Sequence, residues 1–276
     1  MRQGNAASAP AGRTVAHRTG FRDVEPLREQ HAKALSFFLN LGKAGAAIAC
    51  ALQLVACAST PGAAPPTAGR AGSSIVQVSF RDTARMSEQQ RFDHYATTVR
   101  SAGGRVLTGP GERTILGVRS ETSTKANGGN GVYDDKIVLL WQRADGTKRC
   151  SEYPGCTEPT AAFEGRYGVD VDGDGRRDLG RLTPGTRSFA VSQSDGLGNV
   201  LRPSSSATVE RDVNHDGSFN ERVTSSAGRS VLFHCGGDAM TSSAGCQTMP
   251  PQSWARFWSD LHDAGAPDAI SYTLTR

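Results

Sequence analysis

Aromatic residues are scarce in this chain, at 7%, whereas glycine is plentiful, with 32 in 276 residues, and 13 prolines break the chain further. That balance works against long packed helices and favours short elements joined by many turns, so a β-rich domain is expected rather than a helical bundle. A surplus of one charge is missing too, once the chain is divided. Residues 1–57 hold seven Lys/Arg against three Asp/Glu, while residues 58–276 hold 24 of each, so the formal net charge of +4 belongs to the N-terminal part. A neutral body without a basic run offers no footprint for a phosphate backbone, which sets nucleic acid aside as a partner.

The basic start leads into KAGAAIACALQLVAC, residues 43–57, an apolar stretch of signal-peptide rather than membrane-spanning length. It ends in Leu54-Val55-Ala56-Cys57, which resembles a bacterial lipobox. That resemblance implies cleavage before Cys57, lipidation of its thiol, membrane attachment through the lipid, and a periplasm-facing lipoprotein of the outer membrane. The leader is long for its kind, since VEPLREQHAKALSFFLNLG, a helical-looking stretch, precedes it. A short buried helix of a cytosolic protein is the other reading of residues 43–57. Residues 58–74, ASTPGAAPPTAGRAGSS, carry almost nothing bulky and apolar to repay the entropy of ordering, and read as a flexible tether.

With Cys50 and Cys57 assigned to the leader, four cysteines remain, Cys150, Cys156, Cys235 and Cys246. An even number in an oxidising compartment invites disulfides. Cys150 and Cys156 enclose SEYPG, which reads as a tight loop, and form the natural pair; Cys235 and Cys246 are a second bridge or free thiols. No Cys-x2–4-Cys or His-x3–5-His pair is present, which argues against zinc.

Along residues 75–104, SIVQVSF alternates like a strand, and a helix follows with Ser87 as N-cap, Gln90 closing a capping box, Phe92, Tyr95 and Val99 on one face, and Gly103-Gly104 as the stop. From 105 to 276, TILGVRS, KIVLLWQ, RSFAVSQ, ATVERDV and RSVLFH read as strands separated by turn clusters. Trp254, Phe257, Trp258 and Leu261 then mark an amphipathic helix after Pro250-Pro251, and AISYTLT a last strand. The expected architecture is one mainly β domain, a β-sandwich or mixed sheet with two flanking helices.

Two acidic loops stand out, DVDGDGRRD at 170–178 and DVNHDGSFN at 212–220. Each sets oxygen-bearing side chains at positions one, three, five and nine with glycine at six, the spacing by which a loop wraps a hard cation. The candidate ligands are Asp170, Asp172, Asp174 and Asp178 in the first, and Asp212, Asn214, Asp216 and Asn220 in the second. Many flexible oxygen ligands favour Ca²⁺ in a structural role over Mg²⁺. Position twelve is Arg181 or Val223, so a further ligand must come from elsewhere, with Asp134 and Asp135 as candidates. Solvated Asx-turns are the plainer alternative.

The segment LFHCGGDAMTSSAGCQTMP, 232–250, places His234 at the end of a strand and Cys246 at the end of a glycine-rich loop. A neighbouring imidazole would make such a thiol nucleophilic, and Gly245 would let amide N–H groups approach a developing oxyanion. The run His234…Ser243-Ala244-Gly245-Cys246, with LTPGTRSFAV upstream, resembles the L,D-transpeptidase signature. The resemblance implies a β-sandwich catalytic domain over 105–276 that attacks peptidoglycan stem peptides through a Cys246 thioester, with His234 as base, the Gly245–Cys246 backbone as oxyanion contact and Ser243 holding the loop. Ala244 replaces the usual histidine before Gly-Cys, which bears on whether amine or water accepts the acyl group. The enzymatic expectation is therefore an L,D-transpeptidase, or a carboxypeptidase or amidase of the same kind. The alternative is a non-enzymatic, calcium-stabilised envelope lipoprotein with a Cys235–Cys246 disulfide.

Overall fold

A computed structural model describes residues 75–276; the leader with Cys50 and Cys57, and the tether at 58–74, lie outside the described residues. The capping box reads out as expected, because Ser87 Oγ accepts the Gln90 N–H at 3.3 Å and Gln90 Oε1 accepts the Ser87 N–H at 2.8 Å. They start helix α1, Glu88–Ser101, whose Phe92, Tyr95, Ala96 and Val99 are buried. The left-handed Gly103 at φ 76° ends it. Helix α2, Pro251–Leu261, begins with proline at its first position and buries Trp254, Phe257 and Leu261.

Among the described residues eleven strands accompany the helices: β1 Glu112–Val118, β2 Asp135–Gln142, β3 Lys148–Gly155, β4 Leu179–Leu182, β5 Gly185–Ser194, β6 Gly198–Pro203, β7 Thr208–Asp212, β8 Thr224–Ser226, β9 Phe233–Cys235, β10 Gln247–Met249 and β11 Ala269–Thr275. Eight form one mixed sheet in the order β10-β9-β6-β5-β11-β1-β2-β3, and β4-β7-β8 form a second, antiparallel one. The fold is thus mainly β, but the large sheet curls back on itself. Just past β3, the Cys156 N–H donates to the Thr248 carbonyl at 2.8 Å and the Thr248 N–H to the Cys156 carbonyl at 2.9 Å, an antiparallel bridge that nearly closes the sheet.

Strand alternation explains where the helices sit. One face of β1 and β2 sends Ile115, Ile137, Leu139 and Trp141 into the main core with Tyr153, Phe233, Tyr272 and the apolar face of α2. The opposite face sends Leu116, Val138 and Leu140, with Cys150, against α1. Strand β2 is apolar on both faces because both are covered, which is why IVLLW runs unbroken.

Two readings are corrected here. SIVQVSF forms no strand, only a single parallel bridge between Val76 and Tyr133. SEYPG is not a loop but most of β3, paired with β2 along its length. The expected Cys150–Cys156 disulfide falls with it. Six residues of extended chain hold the two Cα atoms roughly 20 Å apart, where a disulfide needs about 4.4–6.8 Å. Cys150 packs under α1, the Cys156 thiol donates to the Glu158 carbonyl at 3.3 Å, and all four described cysteines are free.

Candidate functional site

The acidic loops belong to the small sheet. Loop 1 runs directly into β4 and loop 2 directly out of β7, and the register Leu179↔Asp212 sets them side by side at one end of that sheet. Their backbones are tied alike. In loop 1 the Asp170 carboxylate accepts from Gly173 and Gly175 N–H, Asp172 from Asp174 N–H, and Asp174 from Arg176 N–H. In loop 2 Asp212 accepts from Asp216 and Gly217 N–H, Asn214 Oδ1 from Asp216 N–H, and Asp216 from Ser218 N–H. Both chains are left-handed at positions four and six: Gly173 at φ 84° and Gly175 at 88°, His215 at 58° and Gly217 at 93°. A non-glycine at position four is costly unless held. His215 is held, buried with Nδ1 2.9 Å from Glu164 Oε1 and Nε2 3.4 Å from Asp178 Oδ1.

The loops gather different carboxylates. Asp170, Asp172 and Asp174 converge to within 4.8 Å in loop 1, and Asp212, Asp216 and Glu221 do so in loop 2. Asp178 is not drawn into the first group. It is wholly buried, in an antiparallel bridge with Val169, with Oδ2 taking the Val171 N–H at 2.8 Å and Oδ1 facing His215. Asn220 stays exposed. Asp134 and Asp135 are engaged elsewhere, Asp134 by the Thr122 hydroxyl and Asp135 by Ser120 N–H and the Thr157 N–H and hydroxyl. Glu221, one residue past Asn220, is the carboxylate that the spacing argument passed over by looking only at position twelve. Burial pushes the Asp212 carboxyl up, with Glu221 and Asp216 adding to the rise against the Gly217 N–H.

The His/Cys segment is built at the edge of the large sheet. Strands β9 and β10 pair in parallel with Thr248 beside His234. Cys246 therefore lies two residues, about 7 Å along the strand, before the rung of His234. Its thiol meets Leu232 N–H at 3.4 Å and the Ser230 carbonyl at 3.7 Å, in a small cluster with Val200 and Leu232. Burial pushes this thiol up to about 11, although the Leu232 N–H and Arg202 pull the other way. His234 is buried and directs Nδ1–H to the Cys235 carbonyl at 2.8 Å. Cys235 packs on the main-core side of this ribbon while Cys246 sits in the small cluster, so the two sulfurs lie on opposite faces.

Ser243 organises the loop before Cys246. Its hydroxyl donates to the Cys246 carbonyl at 2.7 Å and accepts the Gly245 N–H at 3.0 Å. Glycine is required at 245, where φ is 118° and an added Cβ would stand 2.1 Å from the Gly180 carbonyl oxygen. The Ser-Ala-Gly-Cys run thus fits the edge of the large sheet against β4. Compared with known proteins, the chain matches no family model, no curated protein and no solved structure.

Proposed function

We propose that the chain is a calcium-binding, non-catalytic β domain of a lipid-anchored envelope protein, in which bound ions hold one end of the small sheet. The observation that carries this reading is the pair of matching loops at the Leu179↔Asp212 rung, each presenting three convergent carboxylates. No Lys or Arg among the described residues forms an ion pair with any of those six. Uncompensated like charge at such spacing destabilises the apo fold, and an all-oxygen donor set suits a hard cation. Asp170, Asp172 and Asp174 would hold one ion; Asp212, Asn214 and Asp216 would hold another. Melting in Ca²⁺ and in EGTA tests the proposal. At a free ion concentration 100 times Kd, the gain is about 2.7 kcal/mol, or roughly 5–11 °C for a domain of this size. Identical curves would remove both loops from the account.

A second reading, cysteine-dependent acyl transfer on peptidoglycan stem peptides, draws on one observation: the parallel pairing of β9 and β10 brings His234 and Cys246 onto neighbouring strands, with the His234 Nδ1–H directed to the Cys235 carbonyl. The raised thiol of Cys246 and the use of the Gly245 N–H by Ser243 weigh against it. Intact-mass detection of a carbapenem adduct on Cys246 would restore it.

A further inference from the structure

Glu221 stands apart from every other carboxylate of the two loops. Both of its side-chain oxygens are buried, and neither has a hydrogen-bond partner. Among the described residues it makes no ion pair with a Lys, Arg or His, although Asp212 and Asp216 lie close enough for the three to bring ligand oxygens within 4.8 Å of one another. A carboxylate whose oxygens are shielded and unpaired is costly unless something positive meets it, and here the Asp212 and Asp216 carboxylates stand beside it. Loop 1 has no counterpart, since its one buried acid, Asp178, already serves Val171 and His215 while Asp172 and Asp174 are exposed. Loop 2 is also the better supported, as Thr124 donates its N–H to the Gly217 carbonyl at 3.0 Å and Gly217 packs directly on Ser123.

We infer that Glu221 supplies the carboxylate missing at position twelve of loop 2, making Asp212, Asn214, Asp216 and Glu221 the tight cation site and loop 1 a weak one. This rests on the calcium-binding reading and adds to it an order of filling and a ligand. The test is calorimetric titration of Ca²⁺ into the chelator-stripped full-length chain, comparing the parent with Glu221→Gln and Asp172→Asn. Glu221→Gln is expected to weaken the tighter binding event on the order of a hundredfold, and Asp172→Asn to leave it unchanged. In EGTA, Glu221→Gln should melt no lower than the parent, because it removes a buried unpaired charge; a lower melt there would mean that Glu221 holds the apo fold and would overturn the inference. Unchanged affinity in Glu221→Gln, or loss of the tight event in Asp172→Asn, would overturn it too while leaving calcium binding intact. A parent chain that takes up no Ca²⁺ would sink both readings together.

Discussion

Cysteine reactivity depends on the thiolate, and thiolate is what burial denies Cys246. Its sulfur is enclosed with Val200 and Leu232, and its proton is held up to about 11. Iodoacetamide at pH 7.5 is therefore expected to leave Cys246 unmodified in the folded chain over hours, with labelling accelerating only as pH climbs toward 11. Peptide mass mapping of the alkylated protein reads this directly. Rapid labelling of Cys246 at neutral pH would show a thiolate that this packing does not provide and would reopen the acyl-transfer chemistry. Cys235, half-buried on the other face of the ribbon, has a thiol raised by burial and by Asp238, and is the more accessible internal control.

Among elements, α2 shows how a helix end can be finished by a residue distant in sequence. Arg113 on β1 is wholly buried, and its guanidinium donates to the carbonyls of Leu261 at 2.8 Å, Asp263 at 2.6 Å and Gly265 at 3.2 Å. The Leu261 carbonyl is one that the end of a helix leaves without a partner, and the other two belong to the turn that follows it. Arg113→Ala is expected to cost about 3–5 kcal/mol in urea unfolding, since it strands several buried acceptors and opens a cavity. Arg113→Lys should recover little, because one ammonium cannot reproduce the fork. The sequence announced α2 through its Trp254, Phe257, Leu261 spacing and α1 through Ser87 and Gln90, but nothing marked Arg113 as the partner of α2. The same limit applies to strands. The strands β1, β2 and β11 carry β-branched and aromatic runs; β3 contains Pro154 and Gly155, β4 buries Arg181 without alternation, and β10 is three residues long, so each is made by its neighbours rather than by its own pattern. In the candidate site, the spacing of Asp170, Asp172 and Asp174 was legible because a turn uses every second residue. Glu221 was not, because a left-handed Arg222 at φ 60° immediately follows it and no simple period leads there.

Across the whole molecule, the small sheet is fastened to the large one through buried charge. Arg181 of β4 reaches Glu121 at 2.6 Å, Glu158 at 3.5 Å and Glu210 at 2.8 Å, with its guanidinium 4.5 Å over the Phe219 ring, while Arg119 approaches Glu158 from the other side at 3.2 Å. Glu158 is almost completely buried, and its carboxyl is held well above the usual range by burial first and by Asp135 next, against the pull of Arg119 and Arg181. Arg181→Ala is expected to destabilise by about 3–5 kcal/mol, because the buried Glu158 loses one of its two guanidinium partners and keeps only Arg119, while Glu121 and Glu210 are left to Arg276. The loss should depend on pH in a definite direction. A carboxyl whose folded pKa lies above its unfolded one contributes stability that is fully present below the unfolded value and is lost as pH rises through the folded value. Deleting Arg181 raises Glu158 further, so the gap between variant and parent should be smaller near pH 5 than near pH 8. Urea midpoints with unchanged m-values at the two pH values measure it. A gap that is the same at both, or wider at pH 5, would mean that Glu158 does not carry the charge balance at this junction.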